Sequence, residues 1–206
     1  MTTLAYSPPF SSSPLWYMTR STGIVAFILL TIALAFGVAA TQRALASRAW
    51  PRFATQALHR NVSLIGLVLL LVHITTTLVD SFVAVGWVSV VVPFTSSYKR
   101  LWLGVGTLAF DAFLLVIITS LLRLRIPQRL WLAIHLSVYV AWPLSLLHFL
   151  RIGTDAKGGE FGAWIAVACA GTVGAAVGVR LVTWSKTART ATSLPLAQPG
   201  RKVRLP

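Results

Sequence analysis

Apolar residues run along this chain in long, nearly unbroken stretches separated by short polar segments. Five stretches reach the length of about 20 residues that a helix needs to cross roughly 30 Å of hydrocarbon at about 1.5 Å per residue. They are Gly23–Thr41, Leu58–Val79, Leu101–Leu122, Leu130–Leu150 and Phe161–Val182. The pattern predicts an all-α integral membrane protein built as a five-helix transmembrane bundle. A sixth run, Phe82–Pro93, has about half the required length and reads as a short interfacial segment between helices 2 and 3. Residues 1–20, with Pro8, Pro9, Pro14 and Ser11–Ser13, read as a flexible leader, and Trp16 and Tyr17 suit the headgroup level. Residues 21–182 form the membrane domain, and residues 183–206 a short basic tail. Val38-Ala39-Ala40 has the form of a signal-peptide cleavage site. The apolar run before it exceeds the usual 7–15 residues, and positive charge follows it, so a retained helix is expected.

Charge gives the topology. Of the 206 residues 56% are hydrophobic and only 11% charged, with 18 Lys+Arg against 4 Asp+Glu and a net charge of +14. Thirteen of the basic residues fall in the link between the first two runs, in the link between the third and fourth, and at the C-terminal end; Arg20, Lys99, Arg100, Arg151 and Lys157 fall on the other side. The positive-inside bias places the richer side in the cytoplasm, so a plasma-membrane protein with its N-terminus outside and its C-terminus in the cytoplasm is expected. Charges spread over alternate loops form no stripe, which argues against a nucleic-acid partner. A lone cysteine, Cys169, excludes an intrachain disulfide framework, and no C-x-x-C-H site for covalent haem occurs.

The candidate chemistry lies in four histidines, all in two of the five runs: His59 and His73 in the second, His135 and His148 in the fourth. Ionisable groups inside a bilayer are costly and mark functional sites. A step of 14 residues is about 21 Å of rise and about 40° short of whole turns, so His59 and His73 share one face, with Gly66 midway. His135 and His148, 13 residues apart, would diverge on a straight helix; Pro143 between them is expected to bend it and re-aim His148. Both runs cross the membrane in the same direction. His59 then matches His135 in depth, and His73 matches His148. A single histidine in such a helix is more often a packing residue than a ligand, but two pairs at two depths suit two irons, each held on both faces. Zinc would want about four ligands, and each level offers two imidazoles.

At these residues the chain resembles the ferric reductase-like transmembrane domain family. That family includes NADPH oxidases, ferric-chelate reductases and the haem-binding membrane subunit of a methionine-sulfoxide reductase system. The resemblance rests on the two histidine spacings and on Leu58-His59-Arg60-Asn61, Pro93-Phe94-x-Ser96-x-Tyr98, Thr119-Ser120-Leu121-Leu122-Arg123 and Trp131-x-x-x-His135-x-x-x-Tyr139. It covers about residues 16–182 and implies two haem b groups. His59 and His135 would ligate the cytoplasmic-side haem iron, and His73 and His148 the outer one. It implies a membrane cytochrome b passing electrons from a cytoplasmic-side donor or quinol to an extracytoplasmic acceptor, as the membrane haem subunit of an oxidoreductase. Only 24 residues follow Val182, too few for the flavin and NAD(P)H domain that many members append. Flavin is therefore expected only on a partner flavoprotein or reductase. Oxidase members usually have six spans against the five expected here, and the first of the six is the one without a counterpart. The competing reading is a haem-free proton or metal-ion transporter using the intramembrane histidines and Asp111.

Other residues are secondary. Arg60, Arg100 and Arg123 are candidate partners for haem propionates, with Arg125, Lys99 and Arg151 nearby. Gly104-x-Gly106-x-x-Ala109 fits a dinucleotide signature but opens a membrane span and follows no strand, so its glycines are read as points of close approach. Gly171, Gly174 and Gly178 suit close helix packing. Asp111, the one acid deep in a run, could orient an imidazole, and Trp142 stands between the two histidines of its run.

Overall fold

The computed structural model describes residues 14–41, 52–80, 85–156 and 160–193. Among these there is no strand, and five helices are long and apolar enough to cross a membrane. In order they are α1 (Pro14–Thr41), α2 (Arg52–Val79), a single short turn α3 (Val88–Val91), α4 (Arg100–Leu121), α5 (Gln128–Leu136), α6 (Val138–Ile152) and α7 (Phe161–Ser193). α5 and α6 together make one span, Gln128–Ile152. The protein is a multi-pass membrane protein with the expected five-helix bundle. α3 is too short to cross, and around it Trp87, Val88, Val91 and Val92 are exposed. α1 begins seven residues before residue 21 and takes in Trp16 and Tyr17; α7 extends past Val182 to Ser193. The remainder of the expected leader and tail, residues 1–13 and 194–206, lies outside the described residues, as do Arg43, Arg48 and Lys157.

α1 is the central element. Its Phe27, Leu30, Leu34 and Val38 form a core with Ala109 and Phe113 of α4, Ala141 and Trp142 of α6, and Cys169 of α7. Phe27 stacks on Trp142 at 5.7 Å and on Phe149 at 5.2 Å between ring centroids. The buried Trp142 N–H donates to Thr31 Oγ1 at 2.9 Å, so this polar atom is satisfied inside the apolar layer. Many large side chains elsewhere are exposed, among them Val68, Leu121, Val167 and Trp184. Lipid chains as solvent make that surface favourable.

α2 packs chiefly on α1, and α6 chiefly on α4. The α1–α2 register is regular: Gly23 lies against His73, Leu30 against Gly66 and Gly37 against His59. Each step of seven residues up one helix is a step of seven down the other.

The fourth span holds a break that the sequence reading did not place, and one expectation about helix packing is corrected. The fourth span is interrupted at Ser137, and Pro143 lies inside the continuous α6. The Ile134 carbonyl, which a continuing helix would offer to Val138, receives the Ser137 N–H at 3.0 Å and its hydroxyl at 2.7 Å. This local side-chain competition ends the α5 ladder. On α7, a Cβ placed on Gly171, Gly174 or Gly178 would meet nothing within 4 Å. Among the described residues these glycines face open space and make no close helix contact.

Candidate functional site

The four histidines meet in two pairs, one at each of two levels. At the first level the His59 and His135 rings lie 6.1 Å apart, their planes at 72°. At the second, His73 and His148 line one cavity of about 300 Å³, walled by residues that include Phe27 and Phe110.

Each imidazole is held by its Nδ1. His73 Nδ1 bonds the Thr19 carbonyl at 2.7 Å, His59 Nδ1 the Ala33 carbonyl at 2.8 Å, and His148 Nδ1 the Trp102 carbonyl at 2.9 Å. A carbonyl oxygen only accepts, so these three nitrogens carry the hydrogen and the Nε2 of each neutral ring carries the lone pair. That is the tautomer of a metal-ligating histidine with its orientation fixed from behind. His135 differs: its Nδ1 faces the Ser120 hydroxyl at 3.4 Å.

The three carbonyl contacts share one construction. In each, a glycine stands four residues after the accepting carbonyl on the same helix: Gly23 after Thr19, Gly37 after Ala33, Gly106 after Trp102. A Cβ on Gly23 would sit 2.7 Å from His73 Nδ1, one on Gly37 3.1 Å from His59 Cε1, and one on Gly106 would collide with His148 Nδ1. The absence of a side chain lets the imidazole edge reach the helix backbone. Gly104 serves another contact: a Cβ there would strike Phe94 of the α3–α4 connection. Phe94 itself has φ 64°, in the left-handed region.

Around the second level, Arg20 of α1 forms an ion pair with Asp155, in the turn between α6 and α7. Asp155 is 2% exposed and both residues line the cavity. The Arg20 guanidinium also lies 4.8 Å from the Trp16 ring. The pair ties one end of α1 to the turn between α6 and α7 beside the cavity. Around the first level, Trp131 stacks on His135 at 5.0 Å, and Arg123 lies over the Trp131 ring at 5.1 Å.

The remaining sequence candidates scatter. Arg60 is exposed beside His59 in the chain. Arg100 is exposed and donates its Nε–H to the Phe94 carbonyl. Arg151 lies over the Trp102 ring at 4.6 Å, and Lys99 Nζ reaches the Arg151 carbonyl at 3.4 Å. Asp111 is the Nδ1 partner of none of the four imidazoles. Trp142 belongs to the core between the levels. Sequence reasoning missed Gly23, Gly37, Ser120 and the Arg20–Asp155 pair. One signal was available: Gly23 and Gly37 are spaced by 14 residues, as His59 and His73 are, and so are Gly106 and Ser120.

The donor set fits iron porphyrin better than a compact metal cluster. An imidazole binds a metal at about 2 Å, and its ring centroid lies a little over 1 Å behind the nitrogen, so two rings on one axis have centroids about 6 Å apart. Among the described residues no group of three or more His, Cys, Asp or Glu gathers to hold an ion. No curated protein and no solved structure matches the chain. A family model described as ferric reductase like transmembrane component matches residues 22–146, from α1 through Gly23, His59, His73 and His135 to within two residues of His148. More than half of the chain is covered, and the protein belongs to the ferric reductase-like transmembrane family.

Proposed function

We propose that this protein is a di-haem b-type cytochrome that carries electrons across a membrane. His59 and His135 hold one haem iron and His73 and His148 the other. The observation that carries this reading is the set of three Nδ1–H bonds to backbone carbonyls, which turn the Nε2 lone pairs of three histidines into fixed donors. The 6.1 Å between the His59 and His135 rings supports a shared ligand on one axis. A haem ligated on both faces supplies one-electron transfer and leaves no easy site for oxygen at the iron.

The rest of the work falls to the chain's own residues. Gly23, Gly37 and Gly106 admit the imidazoles to the helix backbone. Apolar side chains, Phe27 and Phe110 among them, wall much of the second level. Arg60, Arg100 and Arg123 are the proposed cationic partners of the propionates. With the N-terminus outside, the His59–His135 level faces the cytoplasm. Electrons enter there from a flavoprotein, a reductase or quinol, and leave from the His73–His148 level to an extracytoplasmic acceptor. The chain then acts as the membrane haem subunit of an oxidoreductase in the plasma membrane, with residues 21–182 as its haem domain.

The test is the pyridine haemochrome of the purified protein. Two haems b per chain are expected, with an α band that sharpens on dithionite reduction. A colourless protein leaves the transporter reading in its place.

A further inference from the structure

Four imidazoles are seated on neighbouring helices, and one seat is built differently. His59, His73 and His148 each rest on a glycine and bond the carbonyl four residues before it, at 2.7 to 2.9 Å. The matching position for His135 is Ser120, which follows Gly106 by 14 residues on α4. The carbonyl four residues before Ser120 belongs to Val116, and what that oxygen receives from a side chain is the Thr119 hydroxyl at 3.1 Å. His135 Nδ1 instead meets Ser120 Oγ at 3.4 Å. Ser120 thus brings a Cβ and a hydroxyl to the position that glycine holds in the other three seats.

Building on the haem reading above, we propose that Ser120 is a positioning residue that sets the His59–His135 haem at a higher reduction potential than the His73–His148 haem. The reason lies in the acceptor behind each ligand. An imidazole that gives its Nδ1–H to a strong acceptor becomes a more basic ligand, and a more basic ligand favours ferric over ferrous iron. A backbone carbonyl below 3 Å is such an acceptor; a hydroxyl at 3.4 Å is near the limit of a hydrogen bond. One level therefore has two strongly backed ligands and the other has one.

The experiment is a redox titration of the full-length, haem-loaded protein between ferricyanide and dithionite, read in the α band. Wild type, Ser120→Gly and Ser120→Ala are compared, and a His135→Ala variant identifies which spectral component belongs to the first level. Ser120→Gly recreates the common seat and should lower that component's midpoint by about tenfold in its reduction equilibrium, about 59 mV for one electron. Ser120→Ala removes the hydroxyl but keeps the Cβ and should raise it by less. The other haem should not move in either variant. No shift with Ser120→Gly, shifts of the same sign in both variants, movement of the other haem, or loss of haem from Ser120→Gly would each overturn the proposal. A wild type with fewer than two haems sinks the underlying haem reading instead, so the two failures are distinguishable.

Discussion

The two histidine levels look equivalent as residue pairs but differ in how they are enclosed. At the His73–His148 level both rings are locked to helix carbonyls and line one cavity, and the Arg20–Asp155 pair lines it too. At the His59–His135 level one ring is locked and the other meets a hydroxyl, with Trp131 stacked on the latter and Arg123 over Trp131. A histidine pair is thus only half of a site. The backbone behind each imidazole and the charges above it decide how rigid, how dry and how electron-rich that site is.

Removing one ligand should separate the levels most sharply. His73→Ala or His148→Ala is expected to halve the haem-to-protein ratio, with the remaining spectrum belonging to the first level; a ratio still at two would undo the pairing. Next come the seats. On the proposed haem reading, Gly106→Ala and Gly23→Ala should strip haem from the second level, because the new methyl would overlap the imidazole of His148 or His73. Gly37→Ala, with 3.1 Å available, should cost the first level only part of its haem, and Gly174→Ala none. An inverted order in quantitative haem assays would remove the seat argument. A smaller effect is expected at the clamp. Asp155→Ala leaves Arg20 facing the cavity without its counter-ion, a loss of about 3–5 kcal/mol for a fully buried pair. Arg20 is 31% exposed, which places the cost at or below about 3 kcal/mol. Thermal unfolding in detergent checks this, and the double variant Arg20→Met, Asp155→Leu should recover most of the loss. The smallest effect belongs between the levels: Trp142→Phe gives up one bond to Thr31, about 1 kcal/mol, and should leave both haems in place.

The bundle was legible in the sequence because a bilayer imposes a length on each apolar run, and few other contexts demand five such runs. The meeting of His59 with His135 was legible for a related reason: titratable groups are so costly in lipid that their spacing carries information. The seats were hidden because a lone glycine has many readings until the residue opposite is known. The break at Ser137 was not legible beside Pro143: the proline rule is strong from sequence, whereas a serine hydroxyl turning back on Ile134 is decided by local geometry. The small-residue run on α7 carried no mark of whether a neighbour would cover it. Arg20 and Asp155 are 135 residues apart, and no local pattern connects them.

The paired seven-residue steps of α1 and α2 make these two helices a ruler. Gly23 to Gly37 and His59 to His73 are equal intervals on rigid hydrogen-bonded rods, so the gap between the levels is written into covalent structure. A thinner or thicker bilayer would tilt the rods and leave the spacing unchanged. A single residue inserted between Gly23 and Gly37 would throw one end of the ruler out of register while the other still held. Insertions in the α1–α2 connection would go unnoticed.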